Sequence, residues 1–150
     1  MGRKMEIQVD ILNEYKRWID CASDEEIKQE LALMKDNFEE INESFYKELD
    51  FGTSGMRGIL GAGTNRLNTY VLRRSNLALA SHINKNCASK SVVISYDSRK
   101  NSSRFARETA DLMSAMGIKA YLFSELTPVP VLVYAVTKLS CDYGIMITAS

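Results

Sequence analysis

Several things are missing from this sequence of 150 residues, and the first is an excess of charge: nineteen Lys and Arg offset nineteen Asp and Glu, leaving a formal net charge of zero. A chain without a net field has no general attraction to nucleic acid or to an anionic membrane, so any anion binding must come from a local group of residues. No apolar stretch approaches the roughly 18 residues of a membrane span, and the basic start is not followed by the apolar run of a signal peptide. Met1 and Gly2 open a myristoylation pattern, but Glu6 stands where that motif requires Ser or Thr. No nucleic-acid partner, membrane or lipid anchor is expected, and the cytoplasm is the expected compartment. Cysteine is scarce: Cys21, Cys87 and Cys141 are odd in number, far apart and without CxxC spacing, which argues against a disulfide framework and for reduced thiols. His82 is the single histidine, and a lone His on a helix face is given no catalytic role.

What is present, 45% hydrophobic and 25% charged residues, suits one domain able to bury a core, with a small appendage. Ile11, Leu12, Tyr15, Trp18 and Ile19 recur at helical spacing. Ser23 and Glu26 have the form of a capping box for a second helix, whose stripe is Ile27, Leu31 and Met34. Phe38, Ile41 and Phe45 mark a further amphipathic segment. Residues 1–45 thus read as a helical extension, and residues 46–150 as the main domain.

The composition changes sharply at Phe51–Gly63, which holds five of the eight glycines. Asn68 or Thr69 then caps an expected helix to about Asn86, with Val71, Ala78, Leu79, His82 and Ile83 on one face. The β-branched run Ser91–Tyr96 predicts a buried strand, followed by a serine-capped helix from about Ser102 that presents Phe105, Thr109, Leu112, Met113 and Met116, with Gly117 at its C′ position. A strand is expected over 118–123, a helix over Val129–Leu139 with Thr127 as N-cap and Pro128 at its first position, and a last strand over Tyr143–Ile147. Strands alternating with helices imply an α/β layered sheet with flanking helices. Ligands in such folds gather at the carboxyl ends of the strands, so Asp97–Arg99, Glu125–Pro128 and Thr148–Ser150 are expected along one crevice, with the glycine loop as a fourth wall.

The run FGTSGMRG, residues 51–58, combines glycines that let backbone approach a ligand, the hydroxyls of Thr53 and Ser54, and the planar donor fork of Arg57. It lacks the lysine of a P-loop and the spacing of a dinucleotide fingerprint. A phosphate cradle and a tight turn beside a solvated arginine both fit these residue types. Asp97 and Arg99 fit structural ion pairing, with each other or with neighbouring loops. Ser150 follows the strand pattern YGIMI, where a hydroxyl can project into the crevice as a nucleophilic or phosphate-carrying serine must.

Taken in order and spacing, FGTSGMRG at 51–58, VVISYDSR at 92–99, Thr127-Pro128 and GIMITAS at 144–150 resemble the first domain of the α-D-phosphohexomutase superfamily, over roughly Leu49–Ser150. GILGAGTNRLN at 58–68 and the helical extension resemble the branch of long phosphoglucomutases and phosphopentomutases. The resemblance implies that Ser150 is the serine of the family's TASHNP loop, which carries the transferred phosphate, and that Arg57 lies against that phosphoserine with Thr53 and Ser54 as neighbouring hydroxyls. It implies a hexose or pentose phosphate as substrate, a sugar bisphosphate intermediate, and Mg2+ on a phosphoserine oxygen together with aspartates of a second domain. By the same resemblance, domain 1 is incomplete here: Ser150 is the last residue, so the His-Asn-Pro, the metal loop, the sugar-recognition loop and the fourth domain are not in this chain. Its terminal carboxylate would oppose a phosphate. Inactivity alone and self-association through uncovered apolar surface are the expected consequences. The alternative is a non-catalytic phosphosugar-binding or interaction module of the same fold.

Overall fold

Aromatic and long apolar side chains at helical spacing organise the first third of the chain. In the computed structural model, which describes residues 2–53 and 55–148, the chain forms two compact units, Met1–Val71 and Leu72–Ser150. The first contains α1 (Gly2–Cys21), α2 (Glu25–Leu33), α3 (Phe38–Phe45) and two short strands, β1 (Phe51–Gly52) and β2 (Gly55–Met56). Ile11, Tyr15 and Trp18 of α1 meet Ile27 and Leu31 of α2 and Ile41 and Phe45 of α3 in one core. The Tyr15 and Trp18 rings meet Phe45 edge-on at 5.9 and 5.6 Å, and the Tyr15 hydroxyl donates to the Leu31 carbonyl at 2.7 Å. Ile19 and Phe38, expected on these stripes, are exposed. Ile19 lies about 100° around the helix from Trp18, off the 11-15-18 stripe.

The cap of α2 is Asp24, not Ser23. Asp24 has extended backbone, and its Oδ1 accepts from the N–H groups of Glu26 and Ile27 at 3.0 and 3.4 Å. A carboxylate there also meets the positive end of the helix dipole. The N–H groups of Ser23 and Asp24 donate instead to the Tyr70 hydroxyl, at 2.6 and 3.0 Å.

The second unit takes most of α4 (Thr69–Asn86), then β3 (Ser91–Tyr96), α5 (Ser102–Ala115), β4 (Lys119–Leu122), α6 (Val129–Lys138) and β5 (Tyr143–Ile147). The strands form a parallel sheet in the order β4-β3-β5, with Ser91 opposite Lys119 and Val92 opposite Tyr143. Alternate residues of β3 serve opposite faces. Val92 and Ile94 join a core with Ala80 and Ile83 of α4 and Ala106, Ala110 and Met113 of α5. On the other face α6 comes so close to β5 that a Cβ on Gly144 would stand 2.8 Å from Val136 Cγ2 and 3.4 Å from Leu132 Cγ. With both faces covered, Ser91–Ser95 are buried throughout, which is why the run reads as continuous rather than alternating.

Three local expectations need correction. The buried side of α4 runs through Leu72, Asn76, Ala80 and Ile83, while Ala78 and His82 are exposed. Asn76 is polar yet buried because its amide donates to Thr109 Oγ1 at 2.9 Å, so apolar periodicity alone misplaces the face. Helix α5 is not serine-capped: its N-cap is Asn101 in the left-handed region (φ 67°), and the Ser102 hydroxyl donates to Asp97. Helix α6 starts after Pro128, the N-cap residue, while the Thr127 hydroxyl turns back to the Glu125 carbonyl at 2.9 Å. Gly117 does close α5 with φ 75°, as its position predicts.

Candidate functional site

In the first unit, β1 and β2 pair antiparallel, with Phe51 opposite Met56 and Gly52 opposite Gly55, so FGTSGMRG is a tight hairpin. Gly55 sits at φ 98°, a conformation that L side chains rarely adopt. Thr53 at the tip and Arg57 just past β2 are both exposed, and Arg57 forms no ion pair among the described residues. Ser54 lies outside the described residues. Gly58 packs closely, since a Cβ there would stand 2.9 Å from the Leu49 side chain.

The glycines that follow are organised by a residue whose sequence signal is only that of a cap. The Asn68 amide donates to the carbonyls of Gly61, Gly63 and Arg66 at 2.8, 2.9 and 3.4 Å, and its Oδ1 accepts from Val71 N–H at 3.0 Å. One buried side chain thus closes the loop and starts α4. The Glu30 carboxylate accepts from Ala62 N–H at 2.6 Å, which fastens the same loop to α2.

In the second unit the parallel register brings the carboxyl ends of the three strands to one edge. Asp97 N–H continues the ladder to Ile147 O at 3.2 Å, Phe123 N–H donates to Ile94 O at 3.0 Å, and Thr127 N–H donates to Tyr96 O at 3.2 Å. The segments containing Asp97, Thr127 and Thr148 therefore share that edge, as expected. Ala149 and Ser150 lie outside the described residues.

Asp97 is the hub of this edge. Its Oδ1 accepts from Arg99 N–H at 3.1 Å and from Ser102 Oγ at 2.8 Å, while Oδ2 accepts from Thr148 Oγ1 and lies 3.5 Å from Arg99 Nε. Burial by itself would raise this carboxyl. The hydrogen bonds from Thr148, Ser102 and Arg99 N–H, with the Arg99 charge, outweigh it and hold Asp97 below the usual carboxylate value. Pairing with Arg99 is thus one part of a wider network, and the tie to Thr148 is the part that local spacing could not reveal.

Among the described residues no three His, Cys, Asp or Glu side chains gather as metal ligands, and the oxygens of Asp97 are already engaged. The described residues do not by themselves make a magnesium site. No described helix is long and apolar enough to cross a membrane.

Comparison with known proteins agrees with these features. Residues 48–150 match the family model for phosphoglucomutase/phosphomannomutase, alpha/beta/alpha domain I. The chain is 42% identical to a phosphoglucomutase of Staphylococcus haemolyticus over 108 residues, covering 72% of this chain and 20% of that protein. It is 40% identical to a phosphoglucomutase of Staphylococcus saprophyticus over 124 residues, 79% of this chain and 22% of that one. Against a phosphoglucomutase of Staphylococcus aureus the identity is 38% over 133 residues, 89% of this chain and 24% of the relative. The chain therefore spans about a fifth to a quarter of the length of these relatives. No solved structure matches.

Proposed function

The chain belongs to the phosphoglucomutase/phosphomannomutase family through its α/β/α domain I, and from that premise we propose that it is the N-terminal part of a phosphosugar mutase whose phosphate carrier is Ser150. The observation that supports the reading is that β5 ends at Ile147 on the carboxyl edge of the parallel sheet and that Thr148, the next residue, donates to Asp97 there. α/β sheets bind ligands at that edge, and Ser150 follows Thr148 by two residues in sequence. Residues 1–45 are a helical extension and 46–150 are domain 1.

In the proposed reaction phosphorylated Ser150 gives its phosphoryl group to a free hydroxyl of a hexose or pentose monophosphate. The P–O bond to serine breaks, a P–O bond to the sugar forms, and the hydroxyl proton ends on the serine oxygen. The resulting sugar bisphosphate turns around and returns its other phosphoryl to Ser150 by the reverse bond changes, leaving the isomeric monophosphate. Such a transfer is stabilised chiefly by donors fixed around the moving charge. Arg57 supplies a charged fork for that purpose, and Thr53, Ser54 and the glycine-hairpin amides supply neutral donors. Mg2+, which the family implies, would screen the phosphate charge from a phosphoserine oxygen, with its remaining ligands contributed outside this chain. Exposed large apolar side chains, Val129, Val133 and Tyr134 on α6 and Phe51 and Ile59 in the first unit, support self-association when nothing covers them. The proposed compartment is the cytoplasm.

The test is an intact-mass and turnover assay on the full-length gene product beside Ser150→Ala, with glucose 1-phosphate and ribose 1-phosphate. The wild type should carry one covalent phosphate and turn over at least one of the two, and the variant should lose both properties. Turnover persisting in Ser150→Ala would remove the carrier role.

A further inference from the structure

We propose that the first unit carries a sugar site of its own: a cleft beside the end of α3 that binds a neutral saccharide through its hydroxyls. Asn42 and Glu43 of α3, its C-cap Tyr46, and Asn65 and Arg66 of the glycine loop line the cleft, whose volume is about 360 Å3. Small-molecule sites typically measure about 300–1,000 Å3, so there is room for a ligand of sugar size. The inference goes beyond the reading of the chain as part of a mutase and does not depend on it, since neither Arg57 nor Ser150 takes part.

The walls are fixed, yet much of their hydrogen-bonding capacity is unspent. Asn65 N–H donates to Ser44 O at 2.9 Å and Asn65 Nδ2 donates to Glu43 O at 3.0 Å, which fastens the loop wall to the last turn of α3. The Arg66 carbonyl accepts from Asn68 Nδ2 at 3.4 Å. Among the described residues, by contrast, the Asn42 side-chain amide, Asn65 Oδ1 and the Tyr46 hydroxyl have no hydrogen-bond partner, while the Tyr46 ring meets Lys47 Nζ at 5.6 Å. The Arg66 side chain is 16% exposed, and its one ion pair among the described residues is a 3.5 Å contact with Glu43, whose side chain is 66% exposed. A single long contact to an exposed carboxylate is a weak tie, and it leaves most of the five guanidinium N–H donors open.

Charge decides the class of ligand. Arg66 and Glu43 cancel, so an anion is met by the Glu43 carboxylate and a cation by the Arg66 guanidinium. The negative end of the α3 dipole, at this same turn, opposes an anion further. A hydroxyl both donates and accepts. Neighbouring hydroxyls of a sugar can therefore take N–H donors from Arg66 and Asn42 and give their own hydrogens to Glu43 and Asn65 Oδ1. Tyr46, 52% exposed, adds aromatic surface for the apolar C–H face of a sugar ring. Each of these polar contacts replaces one with water, so the expected dissociation constant is on the order of millimolar.

The test is saturation-transfer difference NMR on the full-length gene product, with maltose and glucose as probes, beside Asn42→Ala, Tyr46→Ala and Arg66→Gln. Thermal melting checks folding. Wild type should transfer saturation to the sugar, and Asn42→Ala and Tyr46→Ala should each weaken binding by about fivefold or more. Melting should not change in these two variants, because neither side chain is hydrogen-bonded within the described protein. Arg66→Gln should weaken binding likewise, and if it disturbs the loop the other two variants still decide the matter. No saturation transfer at several times a millimolar concentration of either sugar would overturn the proposal. So would equal binding by wild type, Asn42→Ala and Tyr46→Ala, which would put the sugar elsewhere. Broadening of the phosphorus signal of inorganic phosphate that vanishes in Arg66→Gln would show an anion site instead and overturn the neutral class. None of these readouts uses turnover or the phosphate on Ser150, so failure of the mutase reading leaves the test intact.

Discussion

The Ser95 hydroxyl donates to the Thr127 carbonyl across a buried distance of 2.7 Å. This bond ties the interior of β3 to the turn that starts α6, and Ser95 is wholly inaccessible to solvent. Ser95→Ala removes the donor and leaves a buried carbonyl without it. A loss of about 1–3 kcal/mol in unfolding free energy is expected. Urea unfolding monitored by circular dichroism checks it; a midpoint equal to wild type would mean that water or a shifted turn replaces the hydroxyl.

Gly63 illustrates a position where backbone approach and backbone angle act together. It has φ 126°, and a Cβ there would fall on the Ser44 carbonyl oxygen and 2.8 Å from Ser44 Cβ. The same carbonyl accepts from Asn65 N–H at 2.9 Å, so Ser44 is not free to withdraw. Gly63→Ala should therefore cost about 3 kcal/mol or more. Gly117→Ala, with φ 75° but nothing within 4 Å of the added Cβ, separates angle from overlap and should cost less. Equal losses in the two variants would show that overlap at Ser44 is relieved.

Sequence patterns located the elements whose cause is local. The run Ser91–Tyr96 and the run Tyr143–Ile147 are strands at the expected residues: the β-branched run of β3 is buried as far as Ser95, and the apolar side chains of β5 are half-buried. The 11-15-18 and 27-31 spacings similarly gave the helical core. The face of α4 was illegible because Asn76 is buried through Thr109, 33 residues away. Where two capping types adjoin, as at Ser23 and Asp24, spacing does not choose between them: the Ser23 hydroxyl lies 3.2 Å from the Tyr70 hydroxyl, and the Asp24 carboxylate takes the cap. At the candidate site the order of motifs marked Asp97 and Arg99, but the bond from Thr148 spans 51 residues and leaves no trace in local spacing.

Tyr70 closes the turn between α1 and α2 from a distance of almost fifty residues in sequence. Its hydroxyl accepts from Ser23 N–H and Asp24 N–H, and its ring meets Trp18 edge-on at 5.4 Å. Tyr70→Phe keeps the ring contact and removes the acceptor. Because Ser23 is exposed and Asp24 only half-buried, the expected loss is about 1 kcal/mol. Trp18 is the only tryptophan, so its fluorescence reports the change directly. No shift in the fluorescence-detected unfolding midpoint would mean that solvent replaces the phenol at no cost.

The start of β3 carries a pH-dependent contribution. Asp142 Oδ2 accepts from Ser89 Oγ at 2.7 Å and from Ser91 N–H at 3.0 Å, while Asp142 N–H donates to Ser91 O at 3.0 Å. The Ser89 hydrogen bond, followed by the backbone donors, lowers the Asp142 carboxyl below its ordinary value of 3.8. A folded-state value below the unfolded one means that the stabilisation is complete above the unfolded value and is lost as pH falls through the folded one. The gap in unfolding free energy between wild type and Asp142→Asn should thus hold steady from about pH 7 to about pH 5 and narrow progressively below about pH 4. Chemical unfolding of both proteins at stepped pH measures that gap. A gap that stayed constant down to about pH 2 would show that ionised Asp142 contributes nothing beyond what the amide supplies.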